Sequence, residues 1–340
     1  RNLQPVGIMP VHVGGAMLDI GALKSFADRH GLWVVEDAAH ALPAAASLRR
    51  SIPGARLTWA IDPKWQWLLY GNPDVDCVLA VNRRSPESLK AAWRYFRERP
   101  VDIAVDVQGL IKSGLLVRAS QARRRIGFAA GFLRERAAGL FYTEQIAPKT
   151  QHVVEWNLDL ASAAGATARV VDAPIPAGKP EGELPTKPFV LACPFAGWGA
   201  KQWPLEHYEE LGTLLSGAGH DLVLNVAAQA QTSLYQHVSG LPGLIDATRR
   251  AAAVVGLDSG PLHLAAALKK PGVALFGPTD PARNGPYGGT IKTLRDAGAP
   301  TTYRRMNEIL PCMRAITPRM VFEQLLPCLT TVSPNPTPTR

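Results

Sequence analysis

The strongest constraint on this chain is a rhythm, in which short apolar, β-branched runs alternate with helix-like stretches from one end to the other. The runs are Leu32 to Glu36, Leu57 to Ile61, Cys77 to Val81, Ile103 to Val107, Phe189 to Ala192, Leu222 to Val226, Ala252 to Leu257 and Val273 to Phe276. Strands that are apolar along their whole length, separated by helices, predict parallel sheets covered by helices on both faces. The fold class is therefore α/β. Between Val171 and Pro188 the chain carries Pro174, Pro176, Pro180, Pro185 and Pro188 with two glycines and little apolar content, the composition of a linker. Dividing there, near residue 180, gives two doubly wound, Rossmann-like domains, one over 38–180 and one over 181–329. Sheets of this kind bind ligands at the carboxyl ends of their strands, so an active site in the cleft between the halves is expected.

With 340 residues, 46% of them hydrophobic, the chain has material for two cores. It contains no uncharged apolar run of about eighteen residues and no basic-then-apolar leader at its start, which places it in the cytoplasm. The first residue is Arg1, which fits either a piece of a longer chain or an internally started product. Cys77, Cys193, Cys312 and Cys328 are far apart with no C-x-x-C pair, so they read as buried thiols rather than a metal or disulfide framework. A net charge of +9 points to an anionic partner: nucleic acid, a nucleotide-sugar or an anionic lipid surface. No nucleic-acid-binding motif accompanies it, and that class is set aside. Residues 330–340 are polar and proline-rich and are expected to be disordered, after an amphipathic helix from Pro318 to Leu326.

The sharpest chemical signal follows the run Ala252 to Leu257. Asp258-Ser259-Gly260-Pro261-Leu262-His263 reads as a strand end, a tight turn and a helix start. Pro261 suits the first helical position, Ser259 is placed to cap, and the open amides of the first turn suit a pyrophosphate. His263 lies in that turn, within reach of a phosphate or ribose oxygen. A plain capped helix with a packed histidine is the alternative reading of this stretch by itself.

One strand later comes Phe276-Gly277-Pro278-Thr279-Asp280-Pro281-Ala282-Arg283-Asn284-Gly285-Pro286-Tyr287-Gly288. Together, D-S-G-P-x-H-x-A-A and G-P-T-D-P-x-R-x-x-P-Y-G resemble the donor-binding signature of glycosyltransferase family 9, the ADP-heptose heptosyltransferases. The earlier loop Cys193 to Pro204, ending Lys201-Gln202-Trp203-Pro204, is similar to the family's Lys-x-Trp-Pro loop. By that resemblance Lys201 contacts the donor's phosphates, and Lys201, Asp258, Ser259, Gly260, His263 and Thr279 form the donor site. Family members carry a glycine-rich turn with a ribose-gripping glutamate after the strand matching Leu222 to Val226. This chain has Ala227-Ala228-Gln229-Ala230-Gln231 there, which lowers the expected nucleotide affinity.

The first half resembles the same family's acceptor domain, in His40-Ala41-Leu42-Pro43-Ala44, in Asp106-Val107-Gln108-Gly109-Leu110-Ile111-Lys112-Ser113, in Arg125-Ile126-Gly127-Phe128 and in Gln151-His152-Val153-Val154-Glu155. The resemblance implies acceptor contacts from His40, Gln108 and Lys112, although Lys112 taken alone also reads as a solvated lysine at a helix start. The family's general base is an aspartate within a G-D-x-x-H-x-L-P-A pattern, and here Glu36-Asp37-Ala38-Ala39-His40 aligns Asp37 with it. Glutamate stands in place of the turn glycine, and a helix-capping role is the alternative for Asp37. Upstream, Pro10-Val11-His12-Val13-Gly14-Gly15 and Gly31-Leu32-Trp33-Val34-Val35-Glu36-Asp37-Ala38-Ala39-His40 resemble the vitamin-B6-dependent sugar aminotransferases, whose aspartate in E-D-A-A-H binds pyridoxal phosphate. Residues 1–37 thus read as an aminotransferase-like segment joined to a transferase. Its strand Leu32 to Glu36 is expected to complete the first sheet, leaving residues 1–30 with a strand that has no partner there.

The two resemblances imply an inverting glycosyltransferase of the GT-B arrangement, moving heptose from an ADP-heptose-like donor to a lipid-linked Kdo-lipid A acceptor of the lipopolysaccharide core. No cofactor or metal is implied. The basic surface suits peripheral contact with the anionic inner membrane. Two alternatives stay open: a chimeric remnant that only binds nucleotide, and a non-functional aminotransferase fragment.

Overall fold

A computed structural model describes residues 6–9, 38–82, 84–228, 230–304 and 306–330. These fall into two compact units, one ending at Pro176 and the other starting at Ala177, so the break lies within the proline-rich stretch. The first unit holds β1 (Val6–Met9), α1 (Ala38–Ser51), β2 (Thr58–Ile61), β3 (Cys77–Ala80), α2 (Pro86–Glu98), β4 (Ile103–Asp106), α3 (Ile111–Ala119), β5 (Arg124–Phe128), β6 (Glu144–Ile146) and α4 (Val153–Ala163). The second holds β7 (Phe189–Ala192), α5 (Leu205–Gly217), β8 (Asp221–Val226), β9 (Tyr235–Val238), α6 (Leu241–Arg250), β10 (Ala253–Leu257), α7 (Gly260–Ala267), β11 (Gly272–Phe276), α8 (Pro281–Asn284), β12 (Ile291–Arg295), α9 (Pro311–Ala315) and α10 (Pro318–Thr330). Among the described residues, no helix is long and apolar enough to cross a membrane.

Each unit is built on a six-stranded parallel sheet. The orders are β3-β2-β1-β4-β5-β6 and β12-β11-β10-β7-β8-β9. Counted from the first strand of each unit, both follow the doubly wound 3-2-1-4-5-6 pattern, whose order reverses beside the first strand. The reversal lies between β1 and β4 in one unit and between β7 and β10 in the other, and in the second unit the loops leaving β7 and β10 lie side by side.

The strand beside β4 is Val6–Met9. Gly7 pairs with Thr58 on one side, and Val6 to Met9 pair with Ile103 to Asp106 on the other. This corrects the expectation that residues 1–30 lack a partner in the sheet. Leu32 to Glu36, expected in that slot, lies outside the described residues, as do Asp37 and the tail 331–340.

Burial explains the central strands. In β2, β7, β10 and β11 every residue is buried, which is why all but Thr58 of these strands are apolar or glycine. The second core gathers Val190, Leu224, Val255 and Val273 around Trp203, Tyr208 and Leu215, with Val321 and Leu325 of α10 closing it. In the first unit, α2 starts on Ser85, whose hydroxyl accepts from Ser88 N at 3.1 Å, with Pro86 next. It buries Ala92 and Phe96 against Val101, Ala104 and Val117. All four cysteines are free; Cys193 and Cys312 are buried, whereas Cys77 and Cys328 are only half-buried, correcting the reading of four buried thiols.

Candidate active site

The carboxyl ends of β7 and β10 are neighbours where the strand order reverses, so their loops share one crevice. The loop after β7 is held from behind. Trp203 is buried, donates from Nε1 to Ile316 O at 2.8 Å and packs edge-on against Tyr208. Ala200 N donates to Met306 O at 3.1 Å, and a Cβ on Gly199 would overlap the Asn307 carbonyl. Glycine is therefore required there by close backbone approach. With the backbone so fixed, the short 3-10 turn Gly199–Lys201 aims Lys201 at the end of β10.

Lys201 Nζ donates to Asp258 Oδ2 at 2.6 Å and to the Asp258 carbonyl at 3.3 Å, and sits 4.3 Å above the Trp198 ring. His263, in the first turn of α7, brings Nε2 to 3.8 Å from Asp258 Oδ1. Burial alone pushes the Asp258 carboxyl up, but Lys201 beside it, joined by His263, outweighs that penalty and holds it well below the usual carboxylate range. The result is a buried anion binding a lysine and a histidine that share the start of one helix.

Gly260 opens α7 and is buried. Ser259 corrects the sequence reading: its hydroxyl makes no cap bond and instead donates to Leu257 O at 3.2 Å. The extended Ser259 backbone turns the side chain back along β10, so the helix start carries no side-chain cap. Thr279, on the turn after β11, is fully buried, and its Oγ1 has no hydrogen-bond partner among the described residues. An unmet buried hydroxyl costs about 1–3 kcal/mol.

In the first unit the loop after β4 is organised by Asp106. Its Oδ1 accepts from Gln108 N at 2.8 Å and Gly109 N at 3.2 Å. Its Oδ2 accepts from Ser113 Oγ at 2.7 Å and Tyr142 OH at 2.6 Å. Complete burial pushes the carboxyl up against these bonds. Gly109 adopts φ +70, a left-handed backbone that favours glycine; the nearest atom to a Cβ there would be the end of the Leu133 side chain. Gln108 is 4% exposed, and neither amide atom finds a partner among the described residues. Lys112 is exposed and faces a groove shared with α2, so it does not join Gln108 in the buried cluster. His40 is buried in α1, accepts from Asn157 Nδ2 through its carbonyl at 3.0 Å, and packs its ring edge-on to His152 at 6.2 Å.

The fold thus gathers Lys201, Asp258 and His263 directly, brings His40 to His152, and leaves Gln108 and Thr279 as separate buried polar groups. Three participants were absent from the expected set: Trp198 under Lys201, and the Asp106–Tyr142 pair that shapes the Gln108 turn. Asp106 opened a motif already singled out; Tyr142, 36 residues away, had no local signal. Among the described residues, no group of three or more His, Cys, Asp or Glu side chains is arranged to hold a metal ion.

The model of glycosyltransferase family 9 (heptosyltransferase) matches residues 89–313, two thirds of the chain, a span that includes Lys201, Asp258, Ser259, Gly260, His263 and Thr279. The chain belongs to glycosyltransferase family 9. It is thus a glycosyltransferase by family, and the Lys201–Asp258–His263 cluster lies within the matched region. A second model, for the DegT/DnrJ/EryC1/StrS aminotransferase family, matches residues 4–52. Among curated relatives, lipopolysaccharide heptosyltransferase 1 of Pseudomonas aeruginosa is 28% identical over 284 residues, covering 74% of this chain and 78% of that protein. The protein of the same name from Escherichia coli K12 is 29% identical over 289 residues, covering 74% and 88%. Among solved structures, E. coli heptosyltransferase WaaC with ADP superposes with a TM-score of 0.72 at 23% identity, covering 96% of this chain and all of that one. A family 9 glycosyltransferase from Veillonella parvula gives 0.74 at 18% identity, covering 97% and 98%. These neighbours share the family 9 fold, which is of the GT-B class.

Proposed function

We propose that this glycosyltransferase moves a heptose from an ADP-heptose-like donor to the Kdo-lipid A inner core of lipopolysaccharide, inverting the anomeric carbon. The observation that carries the reading is the Lys201–Asp258 pair at the uncapped start of α7. Helix-start amides and a held ammonium together suit a diphosphate, and they stabilise the charge that grows on it as the glycosidic bond breaks. Asp258 is a positioning residue here: it keeps Lys201 and His263 at the helix start, and a diphosphate then takes the outward-facing donors. Thr279 Oγ1 supplies a further donor for the nucleotide-sugar, and Ser259 and Gly260 contribute main-chain contacts. Gln108, Lys112 and His40 are assigned to the acceptor, with Asp37 as the base that removes the acceptor hydroxyl proton. The enzyme works at the cytoplasmic face of the inner membrane, where its acceptor is held. The heptosyltransferase names of the relatives support the sugar and the pathway.

The test is transfer from ADP-heptose to Kdo-lipid A by wild type, Asp37→Ala and Lys201→Ala, with the product's anomeric configuration read by NMR. Transfer by wild type, loss in both variants and an inverted product are expected. Intact ADP binding without any transfer by wild type would instead assign a nucleotide-binding remnant. A parallel screen of ADP-, UDP- and GDP-sugars fixes the donor.

A further inference from the structure

Apart from Lys112 at its edge, the outer face shared by α2 and α3 has no part in the chemistry above. Helical spacing sets Lys90, Trp93 and Arg97 along one line of α2 and Lys112, Leu115 and Arg118 along one line of α3. Between the two rows runs an open groove of about 680 Å3 whose lining includes all six. Its apolar residues are not hidden: Trp93 is 47% exposed and Leu115 51%. The Arg97 guanidinium lies 4.6 Å from the Trp93 ring centroid, which sets a cation against the indole face. Four of the lining residues are cationic and none is a carboxylate.

Exposed apolar surface of this kind marks a contact site, and its chemistry selects the occupant. A second copy of the chain is disfavoured, because a two-fold pairing would set the same four cations against themselves. A single-stranded nucleic acid needs successive ring faces for its bases, and here one indole is followed by an aliphatic leucine. An indole, an aliphatic side chain and a surround of long cationic stems match instead the boundary between lipid headgroups and acyl chains, where stems lie along hydrocarbon and charged heads meet phosphate.

We infer that the α2–α3 groove docks the protein on an anionic lipid surface, with Trp93 and Leu115 entering the headgroup boundary and Lys90, Arg97, Lys112 and Arg118 meeting lipid phosphates. The inference adds the contact surface to the proposed work on a lipid-linked acceptor and rests on that reading only for its biological setting. Lys112 links the two, since α3 continues directly from the loop that Asp106 organises.

The test is co-flotation of the full chain with phosphatidylcholine vesicles, with and without phosphatidylglycerol. Binding only to the anionic vesicles is expected, falling about fivefold for Arg97→Gln and for Arg118→Gln, as one phosphate contact is lost in each. Trp93→Ala combined with Leu115→Ser should lower it at least tenfold, while Lys292→Gln, an exposed lysine of the other unit, leaves it unchanged. Each variant is checked for an unaltered melting profile. Equal binding to neutral vesicles, retention of binding by the groove variants, or an equal loss in Lys292→Gln would overturn the proposal, as would dimerisation that those variants abolish. Transfer to a deacylated, water-soluble acceptor without vesicles separates the two readings. Its absence in wild type counts against the transferase reading alone, and vesicle results count against the groove alone.

Discussion

Replacing Asp258 by Asn removes the charge around which Lys201 and His263 are assembled while keeping its shape. At 2.6 Å and an effective dielectric of about 20, the attraction between Lys201 and Asp258 is about 6 kcal/mol before desolvation is counted. The side chains are only 14% and 7% exposed, so both charges have lost most of their water and the net value of the pair is far smaller. Removing one partner strands the other: Asp258→Asn leaves a nearly buried ammonium, and Lys201→Met leaves a buried carboxylate with His263 alone. Each should cost about 3 kcal/mol, or roughly 6–12 °C in the melting temperature of the second unit. The double variant buries no net charge and should cost less than the sum of the singles, with a coupling of about 1–3 kcal/mol. Denaturant titration or calorimetry of the four proteins measures this.

The same pair fixes a pH dependence. Because the folded-state carboxyl is depressed, its contribution is fully present above the ordinary aspartate value, about 3.9, and is lost as pH falls through the lower folded value. Wild type should therefore lose this part of its stability only below about pH 4, and Asp258→Asn should lack that acid-side step. Singles costing under about 1 kcal/mol, strictly additive effects, or an unchanged acid limb in Asp258→Asn would refute the argument.

Other substitutions probe the supports of the site. Trp203→Ala should destabilise the second unit by about 3–5 kcal/mol, by opening a cavity and leaving Ile316 O unmet, and should weaken ADP binding by freeing the Lys201 loop; calorimetry with and without ADP reads both. Tyr142→Phe takes one hydroxyl donor from the buried Asp106 and should cost about 1–3 kcal/mol in chemical denaturation, with the second unit unaffected. Gly109→Ala must hold a Cβ at φ +70 against Leu133 and should cost at least about 1–2 kcal/mol in the same measurement.

What could be read in advance follows from where burial lies. β10 and β11, buried along their length, gave unbroken apolar runs, and the turns after them carried family-like motifs that locate Asp258, His263 and Thr279. Of the four edge strands, only β3 showed as an apolar run. β6, β9 and β12 lie at sheet edges and mix in Glu144, Gln236 and Lys292, since one side of each faces water. β5 opens with two arginines, and Glu144 on the neighbouring strand takes Arg124 in a two-bond pair at 2.7 and 2.8 Å that no local pattern announces. The cap expected of Ser259 failed because the residue alone cannot say whether its hydroxyl turns toward the helix or back to Leu257 O.

The sequence by itself determined the α/β class, the repeated strand–helix rhythm and the family, because these depend on local apolar periodicity and on residues close together in the chain. Only the tertiary structure decided that Val6–Met9 fills the slot between β2 and β4, because two apolar runs of similar strength compete for it and pairing with distant strands discriminates between them. It also decided that Lys201 meets Asp258, 57 residues onward, and that Lys112 faces an open groove while Gln108 is buried. Those outcomes belong to the sheet order, which brings the ends of β7 and β10 side by side and sets α3 against α2, and no short stretch of sequence contains it.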